Sequence, residues 1–132
     1  MQSNADPDTV MREISAVFER YEAALRRHDV ESLNGFFLCS ADTVRFGLDE
    51  QNYGIEAIIA YRRAAQPVHP ERQVVRSVVS CFGADVACVS AEFTDPSSVH
   101  VGRQTQTWVR TVEGWRIAVA HVSLAGHDNT RG

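Results

Sequence analysis

Apolar residues recur at helical spacing near the start of the chain. Val10, Ile14, Val17, Phe18, Tyr21, Ala24 and Leu25 form one stripe, and arginines and glutamates fill the opposite face. Asp6-Pro7-Asp8 ahead of the stripe offers an N-cap, a first-turn proline and an early acid, so the spacing predicts a long first helix. His28-Asp29 interrupts the pattern. A short second helix is predicted from Val30 to Phe37, with Leu33, Phe36 and Phe37 as its apolar side. Thr43-Val44-Arg45-Phe46-Gly47 alternates as a short strand, and Asp49 to Gly54 looks turn-like. A third helix is expected from Ile55 to about Ala65, closed by Gln66-Pro67.

Beyond Pro70 the period changes to two. Strands are predicted at Gln73 to Phe82, Val86 to Phe93, His100 to Thr111 and Trp115 to Leu124, with hairpin turns at Gly83-Ala84-Asp85 and Glu113-Gly114. Helices followed by an antiparallel meander imply an α+β fold, three N-terminal helices packed on one face of a strongly curved, mostly antiparallel sheet. One domain is expected over residues 1–132, with a core of about 10–124 and a polar tail from 125. The space between the curl and the first helix is a natural small-ligand pocket.

With Glu113-Gly114 as the turn, Gln106 faces His121, Gln104 faces Ser123 and Trp108 faces Val119. Arg110 and Ile117 continue that face, which mixes large apolar and hydrogen-bonding groups as a pocket wall should. The opposite face, with Thr105, Thr107, Ala118, Ala120 and Val122, suits packing between subunits. A single β-bulge would exchange the two faces beyond it. Arg45, set between Val44 and Phe46 in a strand the fold should cover, needs an anionic partner, since an unpaired buried guanidinium is costly. That partner is either an internal acid, Glu92 or Asp42, or a ligand. Tyr21 lies on the buried helix stripe and suits a core aromatic with its hydroxyl satisfied.

The 132 residues, 44% apolar and 23% charged, are ordinary for a globular domain. A net charge of −4 and a pI near 5.7 weigh against nucleic acid as a partner. All 13 basic residues are arginine. With no lysine there is no Schiff-base nucleophile, pyridoxal linkage or P-loop lysine, and any anion site falls to arginine. The N-terminus has no apolar run, and no stretch approaches the ~20 apolar residues a membrane-spanning helix needs. Cys39, Cys81 and Cys88 form no C-x-x-C pair, so a cytoplasmic protein with reduced, mostly buried thiols is expected. The histidines have no metal-ligand spacing. His121, Ser123 and the nearby Asp128 suggest a hydrolase triad, but no strand-to-helix elbow precedes the serine. Arg76 and Glu92 should oppose each other across the Gly83 hairpin. Arg62-Arg63 suits a solvated helix C-terminus or the entry to an anion site.

Several runs together carry a resemblance. They are Phe36-Phe37, Thr43-Val44-Arg45-Phe46-Gly47, Tyr53-Gly54-Ile55, Tyr61-Arg62, Phe82-Gly83-Ala84-Asp85 and Glu92-Phe93. Gly102-Arg103-Gln104-Thr105-Gln106-Thr107-Trp108 and Gly114-Trp115-Arg116-Ile117 leading to Ala120-His121-Val122-Ser123 are the most specific. Over roughly Val10 to Leu124 the chain resembles the AtzH-like family of the nuclear transport factor 2-like (SnoaL-like) superfamily, which includes the oxalurate-catabolism HpxZ proteins. The resemblance implies an α+β cone with a pocket in its open end, usually a homodimer, acting in nitrogen catabolism beside an amidase-signature hydrolase. It implies a cofactor-independent amidohydrolase that takes a small anionic substrate, 1,3-dicarboxyurea or a related ureide, to allophanate with loss of a terminal carboxylate. Tyr21 and Arg45 match the family's catalytic pair. Gln104, Gln106, Trp108, His121 and Ser123 are then the expected substrate-binding residues, and no metal is called for. Relatives are expected to carry a Phe-Arg-x-x-Arg run near the end of the third helix. Here the run is Tyr61-Arg62-Arg63-Ala64-Ala65, a departure that bears on substrate preference. Two other readings fit the same cone: a non-catalytic ligand-binding or oligomerisation module, and an isomerase of the ketosteroid type, which wants a pocket carboxylate as base.

Overall fold

The computed structural model describes residues 6–126. The predicted tail beyond Gly126, with Asp128, lies outside them. Helix α1 (Pro7–Arg26) starts where the sequence places it: the Asp6 side chain accepts from the Thr9 amide, and Pro7 occupies the first turn. Its stripe is buried, Val10, Ile14 and Ala24 completely. Asp29 caps the short α2 (Val30–Gly35) through the Ser32 amide. Strand β1 (Val44–Phe46) is followed by β2 (Gln51–Tyr53), then α3 (Ile55–Ala64), β3 (Gln73–Phe82), β4 (Val86–Thr94), β5 (Gly102–Thr111) and β6 (Gly114–Leu124).

The six strands form one sheet in the order β2-β1-β6-β5-β4-β3. All neighbours are antiparallel except β1 with β6. The segment expected to be a turn, Asp49 to Gly54, instead contains β2, which folds back on β1 and sets Asn52 beside Arg45. Single-strand pattern did not reveal it because three residues are too few to show alternation. The three helices lie on one side of the sheet. Between them and the strands sits one core, in which Trp108, Ile117, Val89 and Ala87 are fully covered and meet Ile14, Leu33 and Ile58 from the helices. Trp108 packs edge-on to both Tyr21 and Phe36. None of the three cysteines is buried: Cys39 is exposed, and Cys81 and Cys88 are half-buried, contrary to expectation. Among the described residues no helix is long and apolar enough to cross a membrane.

The β5–β6 hairpin differs from the predicted register in two ways. Its loop is Val112-Glu113, closed by Thr111 opposite Gly114, one residue earlier than expected. That change moves every partner by two residues and leaves the faces as they were. The second difference matters more: Trp108 pairs with Ile117 but Thr107 pairs with Val119, so Ala118 is an extra residue, a β-bulge. Beyond it the faces exchange. Gln104 and Gln106 point inward beside Val122 and Ala120, while His121 and Ser123 turn to the outer face with Arg103, Thr105 and Thr107.

Candidate functional site

A cavity of about 540 Å³ opens between α1, α3, the β1–β2 hairpin and the inner face of β5–β6. Its size is that of a small-molecule site. Tyr21, Arg45, Gln104 and Gln106 all line it, as the sequence suggested.

Tyr21 comes from the middle of α1, only 4% exposed. Its ring is held edge-on by Phe36 at 5.6 Å, Phe37 at 6.4 Å and Trp108 at 6.4 Å. No group among the described residues hydrogen-bonds its hydroxyl, so the O–H is offered to the cavity. Buried tyrosine hydroxyls ordinarily find a protein partner, which makes this one unusual.

Arg45 is buried, and one terminal nitrogen, Nη1, makes both of its protein contacts: Glu50 Oε1 at 3.0 Å and Asn52 Oδ1 at 3.0 Å. The guanidinium lies 4.2 Å from the centre of the Tyr61 ring. Its internal carboxylate is therefore Glu50, not Glu92 or Asp42. The other edge of the fork, Nε and Nη2, donates to no described residue. Glu50 can approach because residue 47 is glycine: a Cβ there would overlap the Glu50 carboxylate and crowd Arg45 Nη1. Gly47→Ala should push Glu50 off Arg45 and cost about 1–3 kcal/mol, the usual range for overpacking. Denaturant unfolding measures the loss, and a carboxyl titration by NMR should show Glu50 returning toward its ordinary value.

Burial by itself would raise the Glu50 carboxyl. Hydrogen bonds from Arg45 and Tyr61, the guanidinium charge and the Asp49 amide outweigh it and hold the group below its ordinary 4.5. The unfolded chain then binds the proton more readily than the folded one. Glu50 accordingly contributes stability above pH 4.5 that is lost as the pH falls through the lower folded value. Urea midpoints of wild type and Glu50→Gln should differ most near neutral pH and converge as the pH falls below 4.5 and through the lower folded value. A gap that is constant with pH would contradict the pairing.

Gln106 accepts from Trp108 Nε1 at 3.1 Å through its carboxamide oxygen, which leaves its NH₂ as the group presented to the cavity. Trp108, expected among the substrate-binding residues, is fully buried and does not line the cavity; its indole N–H orients Gln106. Gln104 lines the wall, but its Nε2 is committed to Glu22 Oε2 at 2.6 Å. Glu22 also takes two hydrogen bonds from Arg72, at 3.0 and 3.2 Å, and both side chains are buried. The Arg72 guanidinium rests 3.6 Å from the centre of the Phe93 ring, which fits because residue 102 has no Cβ to meet that ring.

Two expected ligand-binding residues are misplaced by the bulge. Ser123 lines the outer groove and not the cavity. His121 is exposed, lies edge-on to Phe46 at 5.6 Å, and borders both the outer groove and the cavity. A serine–histidine pair on an exposed sheet face is not a buried nucleophile site. Arg110, expected on the pocket wall, stands at the other end of the sheet, where it binds Glu13 at 3.0 Å. Arg76 and Glu92 do oppose each other.

Glu22, Glu50, Asn52 and Arg72 were not expected in the site, and Arg62 was expected only as a solvated helix end or at the entry to an anion site. Two of them left a trace in the sequence: Glu22 falls four residues after Phe18 on the apolar stripe of α1, and Arg62 four after Ile58 on that of α3. A charged residue in a buried stripe signals a site or an internal pair.

Solved structures share this fold. A cystatin-like fold protein from Burkholderia xenovorans is 44% identical over 90% of this chain and 93% of its own, with a TM-score of 0.86. A protein of unknown function from Pectobacterium atrosepticum is 44% identical over 92% of this chain and 94% of its own, also at 0.86. A nuclear transport factor 2-like superfamily protein from Salmonella enterica is 19% identical over 96% of this chain and 99% of its own, at 0.73, a likeness of fold alone. No protein of curated function matches the sequence. The family model described as AtzH-like matches residues 3–128, so the stretch that builds the whole cavity wall is covered, and the chain belongs to the AtzH-like family.

Proposed function

We propose that the cavity removes one terminal carboxylate from a small carboxylated urea, with 1,3-dicarboxyurea going to allophanate as the reference reaction. The observation that carries this reading is the Tyr21 hydroxyl, buried, without a partner among the described residues, and facing the same cavity as Arg45. The free edge of the Arg45 fork suits a carboxylate bidentately. Cleavage of the C–N bond sends its electron pair to nitrogen, which must gain a proton, and a phenol beside a guanidinium is a suitable donor. The carboxyl departs as carbon dioxide or, after attack by water, as bicarbonate. Gln106 NH₂ is placed to hold the urea carbonyl. Neither route requires a metal or organic cofactor.

The Arg45–Glu50 pair is what a non-catalytic binding or oligomerisation module would also have. A filled pocket would be expected with it, and the cavity here is open. Glu50, the glutamate that lines the cavity, is engaged by Arg45, which makes it a poor base for isomerase chemistry. The outer face, where Phe46, Tyr53 and Val119 are displayed, suits a second copy of the chain, and an amidase-signature hydrolase would consume the allophanate. The test is allophanate formation from freshly generated 1,3-dicarboxyurea above the spontaneous rate, with carbon dioxide and bicarbonate resolved as first inorganic product. A rate equal to the spontaneous one, with tight binding of the same compound, would favour the binding module.

A further inference from the structure

The most unusual charge in the cavity belongs to Arg62. It closes the buried stripe of α3 after Ile58, lines the cavity, and is only 6% exposed. The neighbouring Arg63 is exposed and reaches Glu31 at 3.6 Å. The other two buried guanidiniums among the described residues each have a carboxylate: Arg45 has Glu50 and Arg72 has Glu22. Arg62 has none among the described residues, and its one neighbour of note is the Tyr61 ring, 5.3 Å away. The two remaining acids of the cavity do not supply it. Asp49 is exposed, and Asp95 is occupied in capping the Ser97 backbone and hydroxyl.

A buried, unpaired guanidinium is unfavourable unless something anionic completes it. Arg45 and Arg62 lie 4.2 and 5.3 Å from the centre of the same Tyr61 ring, so the two charges stand within a small molecule's length of each other. Only one of them is answered by a protein carboxylate. Such a pair is poised for a ligand with an anionic group at each end.

We propose that Arg62 is the specificity-determining residue of the cavity, holding the second, non-reacting carboxylate of a dianionic substrate whose first carboxylate is held by Arg45. This rests on the reading of the cavity as a site for carboxylated ureas, but its test does not depend on turnover. Glutarate has the same five-atom chain between and including its carboxyl carbons as 1,3-dicarboxyurea, and its monoamide, glutaramate, lacks one charge. Calorimetric titration of wild type should show glutarate bound at least tenfold more tightly than glutaramate. Arg62→Gln should lower that preference by roughly 10–100-fold, the range for a charge-assisted hydrogen-bonded pair. Arg62→Lys, which keeps the charge but not the fork, should retain an intermediate preference. The ligand-free Tm of Arg62→Gln should equal or exceed that of wild type, because the substitution removes an uncompensated buried charge. A wild type without preference for glutarate, or the same preference in all three proteins, overturns the assignment. If the preference depends on Arg62 while 1,3-dicarboxyurea is not turned over, the assignment stands and the reaction proposed above fails.

Discussion

Tyr21→Phe should abolish most turnover of 1,3-dicarboxyurea, by about 10²–10⁴-fold, the effect of removing a positioned proton donor. The same variant should fold as wild type does, with a Tm within about 2 °C. The physical reason for the separation is that all of the ring's packing, against Phe36, Phe37 and Trp108, survives the loss of one oxygen that no described residue engages. The loss should fall on kcat, because the phenol acts on the departing nitrogen and not on the carboxylate that anchors the substrate. Arg45→Lys is the companion. It keeps a charge but cannot hold Glu50, Asn52 and a ligand carboxylate from two edges of one fork, so KM should rise as kcat falls. Tyr21→Phe with unchanged kcat would remove tyrosine from the chemistry and leave the cavity as a binding site.

The second large effect is on stability. Arg72→Met should cost about 3–5 kcal/mol, because it strands the Glu22 carboxylate where water does not reach it. For a domain of this size that lowers the Tm by roughly 10–20 °C. Glu22→Leu combined with Arg72→Met should recover most of the loss, since a well-packed apolar pair replaces a buried ion pair at little cost. Denaturant unfolding of the two single variants and the double variant forms the cycle, and additive losses would show that the two groups are not coupled. The double variant has a second use. Glu22 adjoins Tyr21 and ties α1 to β5 through Gln104. A stable double variant with lowered kcat would identify the network as a support that orients the phenol.

The departures from the sequence reading have one common origin. The α1 stripe is legible because helical periodicity is local, and seven positions repeat the same signal over 20 residues. The long strands are legible for the same reason. Strand β2 is not, since three residues are too few to show alternation, and the parallel pairing of β1 with β6 joins segments distant along the chain. The bulge at Ala118 leaves no mark in the alternation of β6 that distinguishes it from an error of phase. It nevertheless decides that Gln106 points into the cavity while His121 stands mainly on the outer face.

Legible from the residues alone were the class of fold, the order of its longer elements, the family, and the presence of a tyrosine and an arginine on faces that had to be covered. Those follow from local periodicity and from matched runs of residues. Which carboxylate meets which guanidinium was decided only by the tertiary structure. Glu22 lies 50 residues from Arg72, and Glu50 reaches Arg45 only because the β1–β2 hairpin turns back over a glycine. Charge pairing depends on distance in space, and a linear pattern carries no information about it. Two of the three buried arginines are satisfied in that way, and that the third, Arg62, has no carboxylate among the described residues is known only once the other pairs have been assigned.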